Sequence, residues 1–182
     1  MGLESGCPAT LDYLKGARIS IDDHINAIRI LRNHGLEARG SFIIGSPKES
    51  REDFLQTLRF VGENRLSSAM LLVLTPFPGT PVWDYAKARG LVSDDMDWEA
   101  LDLTFDSGKD KAIILSETLT RDEIYALFSM TCREWRKVAM KRRAVDLLRN
   151  PWRIPGVFSR RFKASVLHRQ KLTSRAEPIR SS

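Results

Sequence analysis

The chain has 182 residues, 42% of them hydrophobic and 29% charged, a composition that excludes a wholly disordered polypeptide and suits one folded domain with a tail. The formal net charge of +6 hides a division: residues 1–132 carry 14 Lys and Arg against 20 Asp and Glu, and residues 133–182 carry 15 against 3. The folded part is therefore acidic, while the C-terminal stretch, with a net charge of +12, is suited to an anionic surface.

Gly2-Leu3-Glu4-Ser5-Gly6 opens the first of three β–loop–α units, with a short helical stretch near Leu11–Lys15 behind it. Ser20 is placed to cap the next helix, and Asp22 and Asp23 suit the positive end of its dipole. Ile21, Ile25, Ile28 and Leu31 recur at spacings of four and three, which predicts a shared buried face, and Gly35 is placed to end the helix. The second unit opens with Arg39-Gly40-Ser41-Phe42-Ile43-Ile44-Gly45, in which the run Phe42–Ile44 reads as a strand covered on both faces. Ser46-Pro47-Lys48-Glu49 is a loop. Ser50, with Asp53 three residues on, caps a helix whose inner face is Phe54, Leu58 and Val61.

In the third unit the run Ala69–Leu74 must end at Thr75-Pro76-Phe77-Pro78-Gly79-Thr80-Pro81, because proline cannot donate to a strand ladder. Thr80 as N-cap and Pro81 at the first helical position start a helix through Ala88, and Gly90 stops it. Residues 91–119 read as irregular. Thr120-Arg121-Asp122-Glu123 is a capping box ahead of a long helix marked by Ile124, Leu127, Phe128, Trp135 and Val138. That helix runs to about Leu148 before Asn150-Pro151. In the basic tail, Val157, Phe158, Phe162 and Val166 fall on one helical face.

Strands alternating with helices predict an α/β fold with parallel strands: a partial (β/α) barrel of about three βα units, followed by a helical C-terminal extension. The expected division is a half barrel over residues 1–90, an irregular segment with the long helix over 91–150, and the tail over 151–182. In such folds ligands sit at the C-terminal edge of the strands, where Glu4, Ser5, Ser46 and Thr75 fall. The isolated half barrel exposes strand edges, which predicts pairing with a complementary half or with itself.

The segments Gly2–Gly6, Gly40–Ser50 and Thr75–Pro81, in that order and on matching elements, resemble the second half of the radical S-adenosylmethionine core. The likeness is greatest to the subgroup that carries an N-terminal cobalamin-binding domain. It covers roughly residues 2–90. The resemblance implies binding of S-adenosylmethionine next to a 4Fe-4S cluster, and chemistry that often transfers a methyl group. By position it implies that Glu4 and Ser5 face the ribose and that Ile43 and Gly45 pack against the adenine. It further implies that Leu74, Thr75 and Pro76 offer backbone polar groups to the adenine edge.

The family's C-x3-C-x2-C cluster motif does not occur, and an iron–sulfur cluster needs thiolates. Cys7 and Cys132 are too few for it, and too few for a disulfide framework, which fits a reducing cytoplasm. The expectation is a fragment of a radical S-adenosylmethionine enzyme that is inactive alone, with cluster and cobalamin on the missing N-terminal part and neither catalytic nor metal-binding residues of its own. The alternative is a non-catalytic interaction module or gene relic whose tail meets an anionic surface, a peripheral membrane before a nucleic acid. Of the remaining polar residues, His24 and His34 read as surface groups, Cys132 as packing, Asp94–Asp97 as a solvated loop, and Trp98, Trp135 and Trp152 as core or hinge anchors.

Overall fold

The computed structural model describes residues 1–106 and 108–149; the expectations for Asn150, Pro151 and the tail lie outside them. The elements run β1 (Gly2–Glu4), α1 (Pro8–Lys15), α2 (Ile21–Asn33), β2 (Arg39–Ile44), α3 (Arg51–Glu63), β3 (Ser68–Val73), α4 (Pro81–Ala88), a 3-10 turn at Trp98–Ala100, and α5 (Arg121–Arg149). The chain divides into compact units Met1–Lys137 and Val138–Ser182, and the sheet with everything packed on it belongs to the first.

The three strands form one open parallel sheet in the order β1-β2-β3, so all three C-terminal ends lie on the same edge. β2 and β3 pair without interruption from Arg39↔Ser68 to Ile44↔Val73. The helix starts are those the caps predict: Ser20 with Asp23 and Ser50 with Asp53 close full capping boxes, and the Thr80 hydroxyl accepts from Trp83 N.

Phe42 and Ile44 on β2, and Leu71 and Val73 on β3, point to one face of the sheet. There they meet Ile28 of α2, Phe54 and Phe60 of α3, and Ile124, Leu127 and Phe128 of α5 in one core. Trp135 also reaches this core, its ring 5.9 Å from that of Phe42. The expectation of strands covered on both faces fails for a simple reason. The pleat sends Ser41, Ile43, Met70 and Leu72 to the opposite face, where Met70 is 56% exposed.

Two helix faces are also rotated from their predicted positions. On α2 the buried pair is His24 and Ile28, while Ile25 is exposed. His24 stands edge-on to Phe60, and burial, with Lys15 nearby, holds its pKa below the usual histidine value. On α3 the most buried residues are Phe54, Thr57 and Phe60; Leu58 and Val61 are only partly covered. In both helices a polar residue sits at a core position, and a count of apolar spacings passes over it. Trp98 is half exposed and stacks on buried Trp83, the ring centroids 5.8 Å apart. His34 is exposed, and Cys132 packs against the core as expected.

Candidate functional site

The first strand ends in an unusual conformation. Glu4 has φ of 63°, and the pairing of β1 with β2 shifts register between Gly2 and Glu4. A side chain in this left-handed region costs roughly 1–2 kcal/mol, so the surroundings must hold it. The Glu4 carboxylate folds back over Gly2, where a Cβ would collide with it, and lies 3.7 Å from Lys15 Nζ. The clash is with the movable end of a side chain, so a residue larger than glycine here would displace the carboxylate rather than the backbone.

Beyond Glu4 the chain turns inward. Ser5 is fully buried, its hydroxyl 3.0 Å from Thr57 Oγ1, and it accepts a hydrogen bond from Cys7 N at 3.0 Å. Gly6 N donates to the same Thr57 oxygen at 3.0 Å, and Cys7 Sγ donates to Asp53 Oδ1 at 3.3 Å. The Asp53 carboxyl is held below its ordinary pKa mainly by the Ser50 hydroxyl and backbone N–H. Thus the first loop hangs on the N-terminal half of α3, the helix that follows the second strand.

The second loop is a tight turn. Ser46 C=O accepts Glu49 N at 3.1 Å around Pro47, whose fixed φ suits the second position of such a turn. Glu49 then folds its side chain back: Oε2 accepts Gly45 N at 2.7 Å and Ser46 N at 3.3 Å. Glu49 is only 2% exposed, and burial lifts its carboxyl pKa to about 7 against the pull of the two amides. Among the described residues its Oε1 and the buried Ser46 Oγ find no hydrogen-bond partner. Gly45 takes φ of 95°, which a side chain would resist.

The third strand end is tied to the second, since Leu74 N donates to Ile44 O at 2.8 Å. Thr75 Oγ1 donates to Val73 O at 3.1 Å and lies 3.3 Å from Asp102 O. Leu74 joins Trp83, Ala86, Val92 and Leu115 in a second apolar cluster, against which Ile43, Leu14 and Ile113 pack. A strap over residues 113–119 crosses these loops. Glu117 N donates to Pro47 O at 2.7 Å, and Thr118 Oγ1 donates to Glu49 O. The Glu117 carboxylate takes hydrogen bonds from Tyr85 and Arg89, at 2.6 and 2.7 Å.

The seven residues expected at a cofactor therefore end three adjacent strands on one edge. Glu4 and Ile43 are partly exposed there, while Ser5, Gly45, Leu74, Thr75 and Pro76 are buried. The Ser5 hydroxyl is turned into the fold. Reading the sequence missed Glu49, Asp53 and Thr57 as the residues that hold this edge. Glu49 had a signal, a carboxylate three residues after a loop serine; Thr57 had none beyond being polar at a helix's inner spacing. Among the described residues no three His, Cys, Asp or Glu side chains gather to hold a metal, and the Cys7 thiol is engaged by Asp53. These residues do not fit an iron–sulfur cluster.

The chain is similar to methyltransferases and methylthiotransferases. It is 38% identical over 97 residues to an uncharacterized methyltransferase of Pyrococcus horikoshii, covering 53% of this chain and 21% of that protein. It is 31% identical over 99 residues to bacteriochlorophyllide d C-8(2)-methyltransferase of Chlorobaculum tepidum, covering 54% and 22%. It is 39% identical over 66 residues to tRNA-2-methylthio-N(6)-dimethylallyladenosine synthase of Ehrlichia ruminantium, covering 35% and 15%. The chain spans about a fifth of the length of these methyltransferase relatives. No protein-family profile matches it. No helix among the described residues is long and apolar enough to cross a membrane.

Proposed function

We propose that residues 1–90 are the nucleoside-facing part of a radical S-adenosylmethionine core, in a methyl- or methylthio-transferring enzyme of the cobalamin-related kind. The observation that carries this is the convergence of three separate motif segments on one edge of a parallel sheet. Relatives named as methyltransferases and methylthiotransferases support it.

The residues suit a nucleoside. Glu4 offers a partly exposed carboxylate, which accepts hydrogen bonds from ribose hydroxyls. Ile43, on the partly covered face of the sheet, offers a flat apolar wall, and the neighbouring Gly45 adds no side chain to crowd it. The buried segment Leu74–Pro76 fixes the far side of the wall. S-adenosylmethionine, when bound, supplies the activated methyl or adenosyl group. On this reading the cluster and cobalamin are held by sequence outside these residues, and the open face of the sheet receives that part.

A chimaera tests the proposal. Residues 1–104 replace the matching segment of a characterised radical S-adenosylmethionine methyltransferase, the cluster is reconstituted without oxygen, and 5′-deoxyadenosine is measured. Cleavage that is lost again on Glu4→Ala supports the reading. A folded chimaera that holds its cluster and forms no 5′-deoxyadenosine contradicts it.

The charge of residues 133–182 favours a second, independent reading, in which this stretch attracts an anionic membrane surface. Co-sedimentation of the full chain with anionic but not neutral vesicles, lost at high salt, supports it; equal pelleting with both removes it.

A further inference from the structure

We propose that the tip of the strap, residues 115–118, is a flap that opens separately from the rest of the fold and is latched shut by the Glu117 carboxylate on Tyr85 and Arg89 of α4. The inference deepens the proposed function and rests on it for the ligand the flap would enclose.

Three observations carry it. First, the tip is anchored on both sides and has no regular structure of its own. Ala112 and Leu119 are buried in the main core, and Ile114 leans on it. Arg121, at the start of α5, donates to Lys109 O at 2.9 Å and also to Ala112 O, which ties the entry of the strap to its exit. Between the anchors Ser116 Oγ accepts from Thr118 N at 3.3 Å and Leu119 N at 2.9 Å, so the tip keeps its shape as one piece. Such a piece can swing while the elements that carry it stay in place.

Second, the hold of the tip on the strand ends is light. Leu115 plugs into the cluster around Leu74. Glu117 N donates to Pro47 O at 2.7 Å, and the Thr118 hydroxyl donates to Glu49 O. On the outside the Glu117 carboxylate accepts from Tyr85 Oη at 2.6 Å and Arg89 at 2.7 Å. The Arg89 and Glu117 side chains are 45% and 42% exposed, so water competes for both and the pair is easily exchanged. Third, the receiving half of the latch is already built. The Arg89 guanidinium lies 3.6 Å from the centroid of the Tyr85 ring on the same helix. That stacking holds the guanidinium in place when the carboxylate leaves it.

The position gives the movement a use. Leu74, Thr75 and Pro76 are buried, and Leu115 shares the cluster that holds Leu74. A nucleoside that takes hydrogen bonds from the backbone of that segment needs Leu115 withdrawn, and the returning flap then shields it from water. Parts of a fold that open for ligands come from its least stable end, which a plug of one leucine and an exposed latch provide.

The experiment uses the full chain, labelled with nitrogen-15, and S-adenosylhomocysteine as probe. Hydrogen exchange is followed at the Glu117 amide, which is protected only while it reaches Pro47 O, and at the amides of the β2–β3 ladder. In the wild type the Glu117 amide is expected to exchange at least about a hundredfold faster than the most protected ladder amides. Arg89→Ala and Tyr85→Phe leave the flap's own sequence intact and are expected to speed it a further fivefold and threefold, roughly, with the ladder unchanged. Saturating probe slows it. A Glu117 amide that exchanges in step with the ladder, or that ignores both variants, overturns the inference. If both variants act as expected and the probe changes nothing, the nucleoside reading fails and the latched flap stands.

Discussion

The two faces of the sheet are built differently although the same strands make both. On the helix-covered face Phe42 and Ile44 are fully buried and Leu71 and Val73 nearly so, packed among residues of α2, α3 and α5. On the other face Ser41, Ile43 and Leu72 are only partly covered, and Met70 stands 56% exposed. The first face holds the fold together. The second is only loosely covered, and at its C-terminal end the strand pairing sets Glu4 beside Phe42.

The largest expected effect falls on the covered face. Phe42→Ala removes a ring that touches Phe60 and Trp135 and is expected to cost about 3–5 kcal/mol in chemical denaturation. Ile43→Ala, one residue along on the open face, should cost about half as much or less. Equal costs would show that the two faces are not distinct.

The next effect is electrostatic and sharpens the contrast at the strand end. The folded-state pKa of Glu49, about 7, lies above its ordinary value of 4.5, so the folded chain holds this proton more tightly than the unfolded one. The associated stability, on the order of 3 kcal/mol from the pKa difference, is fully present below about pH 4.5 and lost as pH rises through about 7. Denaturant midpoints from pH 4.5 to 8 in wild type and Glu49→Gln measure it. The slope should be shallower in the variant by that amount, and identical slopes would dismiss it.

Thr57→Val keeps the shape of the helix and removes the oxygen shared by Ser5 and Gly6. Leaving these buried groups without a partner should cost about 1–3 kcal/mol and raise amide exchange at Gly6 and Cys7 before the rest of the sheet. Met70→Ser, on the open face, should change stability by less than about 1 kcal/mol, as surface substitutions do. A larger loss from Met70→Ser would mean that the face is already covered.

Much of this architecture is legible in the residue order. Capping boxes at Ser20 and Ser50 and the Thr80 cap fix where helices begin, because each satisfies backbone amides at a helix start, and the proline-rich exit ends β3 because proline has no N–H for the ladder. The strands are legible as apolar runs, but which face is covered is not, since that depends on where the helices land. His24 and Thr57 escape notice because periodicity counts apolar residues, and both are polar groups in core positions. The shared edge of the three strand ends follows from motif order, whereas the inward turn of Ser5 and the clasp of Glu49 are tertiary, made across 52 residues in one case and by a folded-back side chain in the other. The strap over residues 113–119 carries no motif; its placement comes from Leu115 entering the cluster around Leu74 and from Glu117 meeting Tyr85 and Arg89.

The central claim is that the shared C-terminal edge of the three strands faces a nucleoside. Amide chemical-shift mapping of the full chain with S-adenosylhomocysteine tests it most directly. The account predicts saturable shifts confined to the ends of the three strands, at Glu4, Ile43, Gly45, Ser46 and Leu74, with smaller ones in the strap at Leu115. Shifts elsewhere alone, or none at millimolar probe, would contradict it.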